Sequence, residues 1–178
     1  METANYEYKH VPLIHHPKNE EGVFKDLVEK WHKFGTLYIG VDFDNTLWPY
    51  ETNWNYPEYM YNGYDVPEGF YNVLNLLRWC KILGLKLCLW SLPTSLENLN
   101  WKVEWCALRG IEMDYVNESP LLKELNDTHG FKKVHFNLLL DDVAGLESSY
   151  SILYNLCEYI EKQIEKKEKE DGYTVVKD

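Results

Sequence analysis

Two aspartates follow directly on an apolar run in the first third of the chain. Residues 37–41 predict a strand buried on both faces, and Asp42 and Asp44 come just after it. Because residues i and i+2 of an extended chain point to the same side, we expect the two carboxylates to share one space. Carboxylates that close repel each other unless a cation or a shared proton relieves them. A divalent ion that prefers oxygen ligands would do so, and we predict Mg²⁺.

Two later apolar runs also end in polar residues. Residues 85–90 predict a second buried strand that leads into Ser91, and the run that ends at Leu140 leads into Asp141 and Asp142. Since the carboxyl ends of parallel strands meet at one edge of a sheet, these endings predict a site at that edge. The alternative for the first ending alone is a turn without chemistry, because Asp, Asn and Thr all suit turns.

Helical patterns separate these strands and must position the polar endings. The alternation of strands and helices predicts an α/β fold, a doubly wound parallel sheet with helices on both faces. The chain of 178 residues has the size of one domain. The predicted helices cover 19–34, 67–83, 96–108 and 149–167, and a short strand is predicted at 114–117.

Composition excludes several classes of protein. The net charge is -11 and only two arginines are present, so a surface that binds nucleic acid is not expected. No apolar stretch reaches the length of about 18 residues that spans a membrane. The four cysteines form no CxxC pair and lie in apolar segments. This pattern predicts buried free thiols and a reducing, cytoplasmic location.

The chain divides into segments of different character. Residues 1–35 are predicted to be an N-terminal extension whose helix packs on the core, 36–170 the main domain, and 171–178 a tail. Residues 48–66 are rich in aromatic rings and interrupted by Pro and Gly. This segment follows the first predicted site strand. A lid or stacking platform over the site, and a small satellite core or subunit contact, are both left open.

The polar motifs together resemble the haloacid dehalogenase (HAD) superfamily of phosphatases, over roughly residues 36–148. No insertion is long enough for a full cap domain. The segment 46–49 is similar to capless magnesium-dependent phosphatases, and the last motif also resembles 5'(3')-deoxyribonucleotidases. The motifs that carry the resemblance are Asp42-Phe-Asp44-Asn-Thr46, Leu-Cys-Leu-Trp-Ser91 and Leu-Leu-Leu-Asp141-Asp142.

The resemblance implies a role for each aspartate. Asp42 would be the nucleophile that forms an aspartyl-phosphate, and Asp44 the general acid and base. Mg²⁺ would be held by Asp42, by the backbone carbonyl of Asp44, and by Asp142. Asp141 would lie beside the ion or act through water.

It also implies groups that bind the phosphoryl oxygens. Ser91 and the amides after Asp42 would contact them, and a lysine would neutralise their charge. Lys133 is favoured for its distance from the acidic pair, while Lys132 and Lys123 stay open. Further substrate contacts are expected from Asn45, Thr46, Trp48 and Leu92.

The function implied is Mg²⁺-dependent hydrolysis of a phosphomonoester. The expected substrate is a small phosphorylated metabolite, with a nucleotide as the best guess. One alternative is a phosphatase acting on a phosphoprotein or polynucleotide end, since capless sites are open or are closed by a partner subunit in a homo-oligomer. Another is a catalytically silent binding module on the same fold.

Overall fold

The computed structural model describes residues 19–49, 68–118 and 135–170. Within them, four strands form one parallel sheet in the order β3-β2-β1-β4, and this confirms an α/β fold with a parallel sheet. The strands are β1 (Tyr38–Val41), β2 (Lys86–Leu89), β3 (Tyr115–Val116) and β4 (Leu138–Leu140), and the helices are α1 (Glu20–Phe34), α2 (Glu68–Ile82), α3 (Leu96–Leu108) and α4 (Leu146–Glu170).

The register brings the carboxyl ends of three strands level. Val41 of β1 lies opposite Leu89 of β2 and Leu140 of β4. The ladder continues for one step, because the Asp42 amide donates to the Leu140 carbonyl at 2.9 Å and the Trp90 amide donates to the Val41 carbonyl at 2.8 Å. The residues after β1, β2 and β4 therefore leave the sheet at one edge.

The strand order places a topological switch point between β1 and β4. The chain steps from β1 to β2 to β3 in one direction and returns to the other side of β1 for β4. Open parallel sheets bind ligands in the crevice beyond the carboxyl ends at such a point. Residues 119–134, between β3 and β4, lie outside the described residues, so the predicted helices on both faces stay a prediction.

Capping residues mark the two ends of α1. The side chain of Asn19 caps α1 by accepting a bond from the Gly22 amide at 2.8 Å. Gly35 ends the helix with a left-handed φ of 74°. The C-terminal helix was predicted too short, since α4 begins at Leu146 and reaches Glu170. An i,i+4 ion pair between Lys166 and Glu170 lies at the extended end of the helix.

One apolar core joins the sheet to all four described helices. Alternate strand residues such as Ile39 and Leu87 are fully buried in it, and Leu27 brings α1 into the same cluster. The helix α1 also packs along α4, where the Phe24 and Tyr159 rings meet edge to face. Segments 1–18 and 171–178 lie outside the described residues.

The cysteines are buried and free, as predicted. Burial raises the pKa of Cys88 and of Cys106 to about 12, so both thiols stay protonated at neutral pH. None of the helices in the described ranges is long and apolar enough to cross a membrane.

Gly40 in β1 leaves room for the ring of Phe136. A Cβ at this position would lie 2.6 Å from Phe136 Cγ, which belongs to the base of the ring and not to a flexible end. We expect Gly40→Ala to lower the free energy of unfolding by about 1–3 kcal/mol, because the ring or the strand must shift. Urea denaturation measures this.

The matched control is Gly69→Ala in α2, where an added Cβ would meet nothing within 4 Å. This variant should be as stable as the wild type or slightly more so, since Ala favours helix over Gly. Equal stability of Gly40→Ala and the wild type would show that Phe136 does not constrain β1.

Candidate active site

A tight loop after β1 presents the first two aspartates. Within it, the amides of Leu47 and Trp48 donate to the Phe43 carbonyl at 2.9 and 3.1 Å. Asn45 takes a left-handed φ of 59°, and its amide donates to the Trp48 carbonyl at 2.7 Å. The Phe43 and Leu47 side chains are fully buried and anchor the loop in the core. Local bonds and apolar anchors thus fix this loop.

The carboxylate of Asp42 lies among like charges. Burial raises the pKa of Asp42 to about 6; a hydrogen bond from the Phe43 amide lowers it, and the negative charges of Asp141, Asp44 and Asp142 raise it further. These interactions mean that the structure brings the four predicted aspartates into one neighbourhood. Carboxylates this close repel one another, and a nearby positive charge lowers that repulsion.

A lysine that the sequence analysis did not select lies in this site. The Lys102 ammonium is 2.6 Å from Asp44 Oδ2 and 2.7 Å from Ser91 Oγ, and the residue is only 3% exposed. Lys102 comes from the middle of α3, 11 residues after Ser91. Helical periodicity could have indicated this lysine, because Lys102 lies one turn before Trp105 and Cys106 on the buried face of α3.

Ser91 is held by the end of β3. Its amide donates to the side-chain carbonyl of Asn117 at 2.9 Å, and the Asn117 amide donates to the Leu89 carbonyl at 2.8 Å. Asp114 anchors the start of the same strand to β2. Burial alone would raise the pKa of Asp114, but hydrogen bonds from Lys81 and neighbouring donors outweigh this and lower it. These hydrogen bonds fix the backbone of Ser91 and therefore the position of its hydroxyl.

Thr46 links the two acidic loops. Its hydroxyl accepts a hydrogen bond from the Asp142 amide at 3.0 Å, and Thr46 is only 1% exposed. Asp141 Oδ1 accepts bonds from the Val143 and Ala144 amides, both at 2.9 Å, and so shapes the turn before α4. One oxygen of Asp141 is thus engaged in the turn, while Asp142 is the more exposed of the pair.

The other predicted site residues differ in accessibility. Trp48 is 8% exposed and meets Trp101 and Trp105 edge to face, whereas Leu92 is 90% exposed. Contacts of Asn45, Thr46, Trp48 and Leu92 with a substrate stay predictions. Lys133, Lys132, Lys123 and most of the aromatic segment 48–66 lie outside the described residues.

The donor atoms at this edge suit Mg²⁺ in kind. The aspartates offer only oxygen ligands, which Mg²⁺ prefers. In the parts of the chain that the structure describes, no group of three or more His, Cys, Asp or Glu side chains is arranged to hold a metal ion. The carboxylates would have to converge around an ion, so the metal site stays a prediction.

Comparison with known proteins adds little to this geometry. No protein-family model matches the chain, and no curated protein matches it either. Among solved structures, a conserved protein coded by a locus of Bacteroides thetaiotaomicron is similar, with 26% sequence identity and a TM-score of 0.47. The match covers 70% of this chain and 91% of that one.

The pair of Asp44 and Lys102 can be tested by a double-mutant cycle. Asp44→Asn removes the carboxylate charge that pairs with the buried ammonium, so the free energy of unfolding should fall by about 3 kcal/mol. Lys102→Met removes the buried charge and should cost less. In the double variant we expect a coupling energy of about 1–3 kcal/mol from urea denaturation. Additive effects would contradict the ion pair.

Proposed function

We propose that this protein hydrolyses phosphomonoesters through an aspartyl-phosphate on Asp42. The observation that supports this most is the buried ammonium of Lys102, bonded to Asp44 and Ser91 at the carboxyl edge of the sheet. Next to Asp42, this arrangement combines a nucleophile, an acid–base group, a hydroxyl and a cation. Phosphoryl transfer needs these groups, because positioning and charge stabilisation supply most of its rate.

In the first step, a carboxylate oxygen of Asp42 attacks phosphorus, and the bond from phosphorus to the ester oxygen breaks. Asp44, which takes up a proton from water once the phosphate has displaced it from Lys102, gives that proton to the departing oxygen, which leaves as an alcohol. In the second step, water attacks the aspartyl-phosphate and gives a proton to Asp44. The Asp42 carboxylate is restored and inorganic phosphate is released.

Lys102 and Ser91 would contact the phosphoryl oxygens during both steps. A phosphoryl group arriving beside Lys102 competes with Asp44 for the ammonium, and this frees Asp44 to reach the leaving oxygen. Because Lys102 is buried, its charge acts through protein more than through water and is screened little.

Mg²⁺ would be held by Asp42, Asp142 and the backbone carbonyl of Asp44, with Asp141 beside it. Such an ion supplies positive charge that lets an anionic nucleophile approach an anionic phosphate. The bond between the Asp142 amide and Thr46 keeps the two acidic loops together for this purpose.

The proposed substrate is a small phosphorylated metabolite, with a nucleotide as the first compound to test. A panel of phosphorylated metabolites, a phosphopeptide and a phosphorylated oligonucleotide separates the alternatives by the phosphate released. Release from the macromolecules alone would favour a phosphatase on a large substrate. Release from none, by a folded protein supplied with Mg²⁺, would favour a binding module.

Replacing the nucleophile should abolish turnover. We expect Asp42→Asn to lower phosphate release about a thousandfold or more, because the amide cannot form the aspartyl-phosphate. Thermal unfolding without Mg²⁺ should show that the variant is no less stable, since a repelled carboxylate has been removed. Asp26→Asn, on the surface of α1, is the control and should retain activity. Full activity of Asp42→Asn would refute the assignment.

The choice of lysine is tested by comparing two variants. Lys102→Met should lower kcat by about a hundredfold or more, because the developing charge on the phosphoryl oxygens loses its cation. Lys133→Met should keep most of the activity if Lys102 has this role. Steady-state phosphate release measures both. A loss confined to Lys133→Met would return the role to Lys133.

A further inference from the structure

Several exposed apolar residues neighbour the polar site residues along the chain, and we call them the apolar rim. Two of them flank Ser91, one follows Asp142, one precedes Lys102, and one begins α3. Single exposed apolar residues are common, but several on the segments that also supply the site residues indicate a binding surface. The rim consists of Trp90, Leu92, Leu96, Trp101 and Val143.

Trp101 belongs to this rim and contacts the loop after β1. Its ring meets Phe43 and Trp48 edge to face, with centroids 5.5 and 6.1 Å apart, yet the residue is 42% exposed. The Lys102 ammonium lies 5.1 Å from the centre of the same Phe43 ring. A single ring therefore connects Trp101 to the cation of the site.

A ring held in this way can bind another ring at low entropic cost. Its edge contacts already restrict its rotamer, so little side-chain freedom is lost when a ligand stacks on it. Leu92 and Leu96, exposed by 90% and 72%, offer apolar surface on the segment between Ser91 and α3. An apolar group attached to a phosphate at Ser91 would pass over these residues.

The charges of the site limit the anionic part of the ligand. Asp42 already lies close to three other carboxylates, and Lys102 is the cation bonded within the described site. A single phosphoryl group fits this balance better than a polyphosphate, whose additional charges would face carboxylates.

We propose that Trp101, with Leu92 and Leu96, binds the leaving group, and that the preferred substrates are single-phosphate monoesters of alcohols that carry an aromatic ring. This inference rests on the proposed phosphatase activity and narrows its substrate class. Trp101 is more exposed than Trp48, which the sequence predicted as a substrate contact and which is nearly buried.

The test compares 2-phenylethyl phosphate with ethyl phosphate. Their alcohols have similar acidity, so the chemical step is matched and the ratio of kcat/KM reports on binding of the ring. We expect the full-length wild type with Mg²⁺ to prefer the phenylethyl ester by about tenfold or more, as is typical of apolar pocket contacts. Trp101→Ala should remove most of this preference, and Trp101→Phe should keep a large part of it.

Leu108→Ala is the matched control, because Leu108 is 77% exposed at the far end of the same helix. Its ratio should equal that of the wild type. Inhibition by inorganic phosphate shows whether Trp101→Ala still has a formed site, since phosphate does not need the ring. If inhibition by inorganic phosphate is lost in Trp101→Ala, that variant is replaced by Trp101→Phe and Leu92→Ser, and the ratio of kcat/KM for the two esters is measured in them.

Equal efficiency on both esters in the wild type, or a preference that survives in Trp101→Ala, would overturn this inference and leave the phosphatase activity standing. Release from neither ester, nor from any compound of the metabolite panel, would overturn the phosphatase activity and this inference with it.

Discussion

The arrangement of the site depends on the cost of burying one ammonium group. Lys102 is almost fully buried. A charge in that position is stable only when groups of opposite charge or with a strong dipole lie close to it. Asp44 and Ser91 supply them at 2.6 and 2.7 Å. The pairing requires that α3, the loop after β1 and the end of β2 meet at one point. The geometry of the site therefore depends on how these three elements pack.

The sheet makes that meeting point available. Parallel pairing in register brings the ends of β1, β2 and β4 to the same level, and the strand order switches between β1 and β4, where parallel sheets commonly bind ligands. Hydrogen bonds between loops then fix the residues that follow the strands. Asn117 holds Ser91, and Thr46 holds the amide of Asp142, so two of the site's polar groups are positioned by neighbours that lie in other loops.

Aromatic rings form the apolar wall behind this polar edge. Phe43 and Trp48 pack edge to face against Trp101 and Trp105, and Arg109 lies 3.7 Å from the centre of the Trp105 ring. Such a wall lowers the local dielectric constant and so strengthens the ion pair of Lys102. At the same edge, burial raises the pKa of Asp42 to about 6, and the negative charges of Asp141, Asp44 and Asp142 raise it further.

The sequence by itself determined the elements and the polar ends of the strands. The helix over 96–108 and the apolar strands before Asp42 and Asp141 follow from local periodicity and capping, although Leu138 and Leu139 of β4 are only half-buried. Only the tertiary structure decided that Lys102 meets Asp44. Lysines look alike in a linear pattern, and Lys102 reaches Asp44, 58 residues away, only because of how α3 packs. Long-range pairing of this kind depends on packing, which local sequence patterns do not encode.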